Sequence, residues 1–151
     1  MSSPIDKTIA RLGYAGLLPF VALAGLMWLG RADRMPLVAT ALVAYAAVIV
    51  SFLGGIHWGL GFMRPEGGQV PADSVPRRFH FVWGVVPSLL AWLALMLPAV
   101  VALPTLAVAL LVCYGVDRHT YPGLGLSHWL RLRLHLTLVA ALSCMLGAAA
   151  L

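Results

Sequence analysis

Histidine, aspartate and arginine are the side chains of this chain that could move a proton, hold a metal or bind an anion. The histidines are His57, His80, His119, His128 and His135. The acids are Asp6, Asp33, Glu66, Asp73 and Asp117, and all but Asp117 fall in tails or short polar segments. Histidine titrates near neutral pH and ligates metals and haem, so His57, His80 and His135 are the natural candidates for acid–base or haem chemistry. The surrounding pattern excludes most catalysts. There is no nucleophile–base pair, no Walker loop, no paired-carboxylate constellation and no metal motif. Cys113 and Cys144 lie inside apolar stretches, with no CxxC and no zinc spacing, and read as small packed residues. The expectation is therefore a protein that is not an enzyme. Any chemistry would have to pass through His57 or an unidentified cofactor.

The elements that position these residues follow from composition. Of 151 residues, 62% are hydrophobic and only 10% are charged, against about 25% in a soluble domain. A soluble fold of this size could not bury so much apolar surface. The fold class expected is all-α, a polytopic membrane bundle of about five transmembrane helices in one integral-membrane domain over residues 1–151. The spans read as about 12–30, 37–63, 79–97, 100–116 and 132–151. The fourth reaches spanning length only if its helix tolerates Pro104 in the first turn. Pro19 and Pro87 fall inside their spans and predict kinks. The stretch 64–78 is the one true hydrophilic loop, and residues 117–130 read as a mixed loop. Ala22-Leu-Ala24 resembles a signal-peptidase site, but the apolar run continues to Leu29, which favours an uncleaved span. No repeat is visible, and five spans do not divide into the equal halves of an inverted-repeat transporter.

Net charge is +5 and the pI about 9.9. The basic residues sit between apolar runs rather than in a reading module, so nucleic acid is not an expected partner; the lipid bilayer is. Counted by loop, the N-terminus, second loop and fourth loop carry eight Lys and Arg, the remaining segments two. The positive-inside rule then puts the N-terminus in the cytoplasm and the C-terminus outside, the matrix taking the place of the cytoplasm in a mitochondrion.

That topology gathers the polar residues at the cytoplasmic interface. His57 and Trp58 lie near the end of the second span, His80 and Trp83 near the start of the third, and Asp117 at the end of the fourth. Arg131, Arg133, His135 and Thr137 open the fifth. His57 lies about 10 Å inside its helix end, where a polar group is costly and faces the bundle interior. It reads either as an interhelical hydrogen-bonder or as part of a ligand site, with partners expected on the fifth span or at His80 or Ser88. One of Arg131 and Arg133 is expected to turn inward, with Asp117 as its acid. Gly55-x-x-x-Gly59, widened by Gly54, reads as a helix-packing face.

Ser51-Phe-Leu-Gly-Gly-Ile-His-Trp-Gly59 resembles the signature of the domain-of-unknown-function 3429 family, the transmembrane protein 69-like family. Leu12-Gly-Tyr-Ala-Gly-Leu-Leu-Pro-Phe20, Trp83-Gly-Val-Val-Pro-Ser-Leu-Leu-Ala-Trp92 and Trp129-Leu-Arg-Leu-Arg-Leu-His-Leu-Thr137 are similar in the same order, although Leu130 stands where the family carries an aromatic. The resemblance implies a small multi-pass protein of bacterial inner membranes and mitochondria, with no activity attached. Three roles follow in order of expectation. The first is a non-enzymatic packing, assembly or accessory component, with other membrane subunits or a second copy as partner. The second is a haem-, quinone- or lipid-binding protein. The third is a small-solute transporter or channel formed by an oligomer. Alkaline phosphatase fused after Leu151 should be active and a cytoplasm-folding fluorescent protein there dark; fluorescence at that end would overturn the orientation.

Overall fold

Apolar runs of about 20 residues leave the backbone no partner in hydrocarbon but itself, and helices result. The computed structural model describes residues 4–30, 32–63 and 75–151, and no strand occurs among them. Most of the predicted 64–78 loop, with Arg64, and also Arg31 lie outside the described residues. The helices are α1 (Pro4–Ala15), α2 (Leu18–Leu29), α3 (Met35–Met63), α4 (Arg77–Leu95), α5 (Ala99–Thr120) and α6 (Leu130–Ala149). Five helical runs are long and apolar enough to cross a bilayer: Asp6–Leu29, Ala32–Met63, Arg77–Leu95, Ala99–Thr120 and Ser127–Ala149.

The first span is two helices, not one kinked helix. Pro19 falls in the first turn of α2 instead of inside a continuous helix. Proline has no N–H and its ring clashes with the carbonyl four residues earlier, so the chain breaks at Gly16-Leu17 and restarts. The Tyr45 hydroxyl of α3 donates to the Gly16 carbonyl at 2.8 Å, satisfying backbone exposed by the break. The fourth span is longer than expected. Pro98 precedes α5, Pro104 is accommodated inside it, and the helix runs on through Asp117 to Thr120. Only residues 121–129 form the connection, as two short 3-10 turns.

Helix α3 is the centre. It packs most heavily on α4 and also meets α2, α5 and α6, while α5 and α6 form the second close pair. Leu42, Ala46 and Val50 of α3 are wholly buried, as are Leu103 and Leu106 of α5. Large apolar side chains such as Leu18, Phe52, Leu89, Val108 and Leu142 are exposed on the outer faces, as a lipid-facing surface requires. Between α2 and α6 the Trp28 indole donates to the Leu146 carbonyl at 3.0 Å.

The glycines inside the bundle are not those the GxxxG spacing singled out. Among the described residues a Cβ on Gly55 or Gly59 would meet nothing within 4 Å; both look outward. The close approach is made one residue away. A Cβ on Gly54 would lie 2.6 Å from the Gly84 carbonyl oxygen, and one on Gly84 2.0 Å from Trp58 Cδ1. Gly54 and Gly84 thus let the α3 and α4 backbones meet, and Trp58 closes the crossing by donating its indole N–H to the Phe81 carbonyl at 2.9 Å. The spacing of Gly55 and Gly59 fixed their shared face but not the direction in which it points. Gly54→Ala should lower stability in detergent by about 1–3 kcal/mol, because the added methyl meets backbone that cannot rotate away. Gly55→Ala should leave the melting temperature unchanged or slightly raised. Equal destabilisation by both would contradict this packing.

Candidate functional site

The Gly54–Gly84 crossing decides where two imidazoles go. His57 is three residues beyond Gly54 on α3, and His80 four residues before Gly84 on α4, so the crossing brings both to one level. Their Nδ1 atoms are 3.1 Å apart and the rings are stacked with centroids at 5.3 Å. Both side chains are essentially excluded from solvent, His57 at 1% and His80 at 0%. The other nitrogen of His57, Nε2, lies 3.0 Å from Asp117 Oδ1 on α5. Asp117 is itself 2% exposed. Its Oδ2 accepts from Arg133 of α6, whose Nε is at 2.8 Å and whose Nη2 engages the same oxygen. Arg133 Nη1 reaches Thr137 Oγ1 at 3.5 Å, one turn along α6. One chain of contacts, His80–His57–Asp117–Arg133–Thr137, therefore links α4, α3, α5 and α6.

Hydrogen-bond chemistry orders this chain. An ionised carboxylate only accepts, so His57 Nε2–H donates to Asp117. A neutral His57 then accepts at Nδ1, and His80 Nδ1–H donates to it. A protonated His57 would donate at both nitrogens, and His80 would accept. The chain can thus hold its protons in two arrangements without moving a heavy atom. In the first arrangement the net charge is zero, with Arg133 balancing Asp117, which is the least costly way to keep such groups below the headgroups.

Aromatic rings close the cluster. Trp83 meets His57 edge-on at 6.5 Å and stacks on Phe79, and Tyr121 tilts over His57 at 6.3 Å. Tyr121, one residue past the α5 span, is 5% exposed. Burial, and next the Asp117 charge, push its hydroxyl up to about 12, so it keeps its proton.

Of the residues expected at one polar level, His57, His80, Asp117, Arg133 and Thr137 converge, and Trp83 lies against them. Arg131 and His135 do not. Both are exposed on the other side of α6, where His135 Nδ1 is 3.5 Å from the Tyr14 hydroxyl. Arg133 is the inward arginine because the 100° step per residue turns it away from Arg131. Trp58 is 43% exposed and serves the α3–α4 crossing rather than the cluster. His119 and His128 are exposed. Two features escaped the sequence reading. Asp117 was matched to an arginine alone, though a carboxylate has two oxygens and here bridges Arg133 and His57. Tyr121 is not among the residues expected at this level, yet it lies four residues after Asp117, on the same side of the chain.

Haem ligation by His57 fits this arrangement poorly, since both of its ring nitrogens already have protein partners. Among the described residues no group of three His, Cys, Asp or Glu side chains could hold a metal ion.

Comparison with known proteins follows the same boundaries. A family described as "Protein of unknown function (DUF3429)" matches residues 5–149. Transmembrane protein 69 of Xenopus tropicalis is 39% identical over 145 residues, covering 91% of this chain and 52% of that protein. Transmembrane protein 69 of Mus musculus is 33% identical over 137 residues, covering 85% and 50%. The chain spans about half the length of the curated relatives it matches. No solved structure matches it significantly.

His57→Leu removes the middle of the chain and leaves one Asp117 oxygen and His80 Nδ1 without that partner. It should cost about 1–3 kcal/mol of stability in detergent. A variant as stable as the parent would show that the two contacts carry no net free energy.

Proposed function

This chain belongs to the DUF3429 family, and we propose that it is a non-enzymatic component of the bacterial inner membrane that packs against another membrane subunit. It is a multi-pass membrane protein in any case, since five apolar helices of spanning length make up nearly all of it. The observation that carries the proposal is the outer face of α3. Val48, Phe52, Gly55, Gly59 and Phe62 follow one another at steps of four, three, four and three, and all are exposed. That is the repeat of a helix–helix seam, with the two glycines at its centre leaving room for a partner backbone. In a bilayer such a stripe gains nothing by facing lipid, but a second helix can pack on it closely.

The buried cluster supports the non-enzymatic part of the reading. Both nitrogens of His57 and both oxygens of Asp117 are engaged with protein groups, so neither offers an open position to a substrate. The distribution of basic residues supports the orientation, with eight on the N-terminal side and two opposite. The cytoplasmic end of the bundle is then the end that carries His57, His80 and Asp117.

Blue-native electrophoresis of membranes solubilised in mild detergent tests the proposal. The parent protein should migrate in an assembly larger than the monomer. Gly59→Leu should release it as monomer with an unchanged melting temperature, because nothing among the described residues lies within 4 Å of a Cβ there. A parent band at monomer-plus-detergent size, with no co-purifying protein, would refute it.

A further inference from the structure

A cavity of about 530 Å³ lies between the first span, α3 and α6, beside the buried cluster. The volume falls within the usual range of small-molecule sites, about 300–1,000 Å³. Its walls are apolar, with Phe20, Leu53 and Leu136 among them. Among the described residues its polar lining is Tyr121, Arg133 and Thr137, with the indole of Trp129. Exposed Leu12 and Phe52 also line it, so it is reached from the lipid side. The shape of the chemistry is that of an amphiphile: an apolar tail along the walls and a head at the polar end.

The polar end specifies the head. Arg133 has five N–H groups. Asp117 takes two of them and Thr137 lies near a third, so donors remain. Tyr121 and Thr137 add hydroxyls from side chains 5% and 1% exposed. Asp117 balances the Arg133 charge, so this end offers hydrogen-bond donors without net positive charge. A carbonyl oxygen suits it better than a carboxylate or phosphate, whose own charge would go unmatched.

A second observation narrows the class. The groups behind the donors form a continuous hydrogen-bonded chain. Tyr121 sits beside Asp117, Asp117 binds His57, and His57 meets His80. The walls also hold the aromatic rings of Phe20, Tyr121 and Trp129; a quinone offers a flat ring to them and a carbonyl to the donors, whereas an ester carbonyl carries no ring. We propose that the cavity binds a membrane quinone, with a ring carbonyl accepting from Thr137, from Arg133 and from a Tyr121 hydroxyl turned away from Asp117, and the single apolar tail running between the first span and α6. This site is independent of the outer face of α3 as a subunit contact, and either can fail without the other.

The test is titration of the full chain, in phosphatidylcholine nanodiscs, with decylubiquinone, a short-tailed quinone that quenches tryptophan fluorescence. The expected result is a saturable component at one quinone per chain that Trp129→Phe removes, since Trp129 lines the cavity. Tyr121→Phe and Thr137→Val should each weaken binding about tenfold, the effect of one lost hydrogen bond to a buried head. Palmitic acid, which offers a tail without a neutral carbonyl pair, should compete poorly. Leu136→Trp, which fills the cavity, should abolish the component while helical content is retained. Quenching that rises linearly, or an affinity unchanged in both hydroxyl-deleted variants, would overturn the proposal. So would displacement by palmitic acid as effective as by quinone, because the site would then recognise only a tail.

Discussion

A charge buried below the headgroups must be balanced by protein, and in this chain one pair, Asp117 with Arg133, carries that requirement. Each would be costly alone. Together they fix α5 against α6, and the second carboxylate oxygen extends the bond through His57 to α3 and through His80 to α4. The remainder of these helices is apolar, and apolar side chains are nearly as comfortable against lipid as against each other. Dispersion packing holds such helices together without choosing their rotation. The polar chain chooses it, because only one rotation of each of the four helices satisfies Asp117, His57, His80 and Arg133 together.

The small residues make this geometry possible. Gly54 and Gly84 remove the bulk that would hold α3 and α4 apart, and the two imidazoles meet because the backbones do. At the opposite end of the bundle Gly147 makes room for side chains instead, for a Cβ there would lie 2.6 Å from Leu42 Cδ2. Gly55 and Gly59 have no such neighbour. A glycine stripe that the fold leaves outside is consistent with a contact made by another chain, while the cavity near Arg133 is a feature of the chain itself. Both follow from one arrangement. Fixing α3 by its polar side turns its glycine side outward, and fixing α6 by Arg133 sets the cluster at the edge of the cavity.

The architecture was legible because its cause is composition. Five apolar runs, their approximate bounds and the gathering of polar residues at one end follow from hydropathy and chain direction alone. Arg133 as the inward arginine and His80 as a partner of His57 were both within the alternatives that helical periodicity allowed. The misses share a physical origin. Periodicity says which residues share a face, not which neighbour that face meets, so of the packing glycines expected, Gly54 lies inside the bundle while Gly55 and Gly59 face outward. Helix ends are set by capping and by tertiary contacts, so Asp117 was read at the edge of a loop although α5 continues past it. Pro19 was treated as a kink because its position relative to a helix start depends on where the chain breaks, and Gly16 supplies that break. The bridging role of Asp117 was open to inference by counting acceptor oxygens, and Tyr121 by counting four residues onward.

If the Asp117–Arg133 pair holds the bundle together, the two residues must be coupled. A double-mutant cycle with Asp117→Leu and Arg133→Leu, read as unfolding free energy in detergent, measures this directly. Each single variant leaves an unmatched buried charge and should cost about 3–5 kcal/mol. The double variant removes both charges and should cost less than either single one. Costs that simply add would show that the two side chains act independently, and the account of how these helices find their register would be wrong.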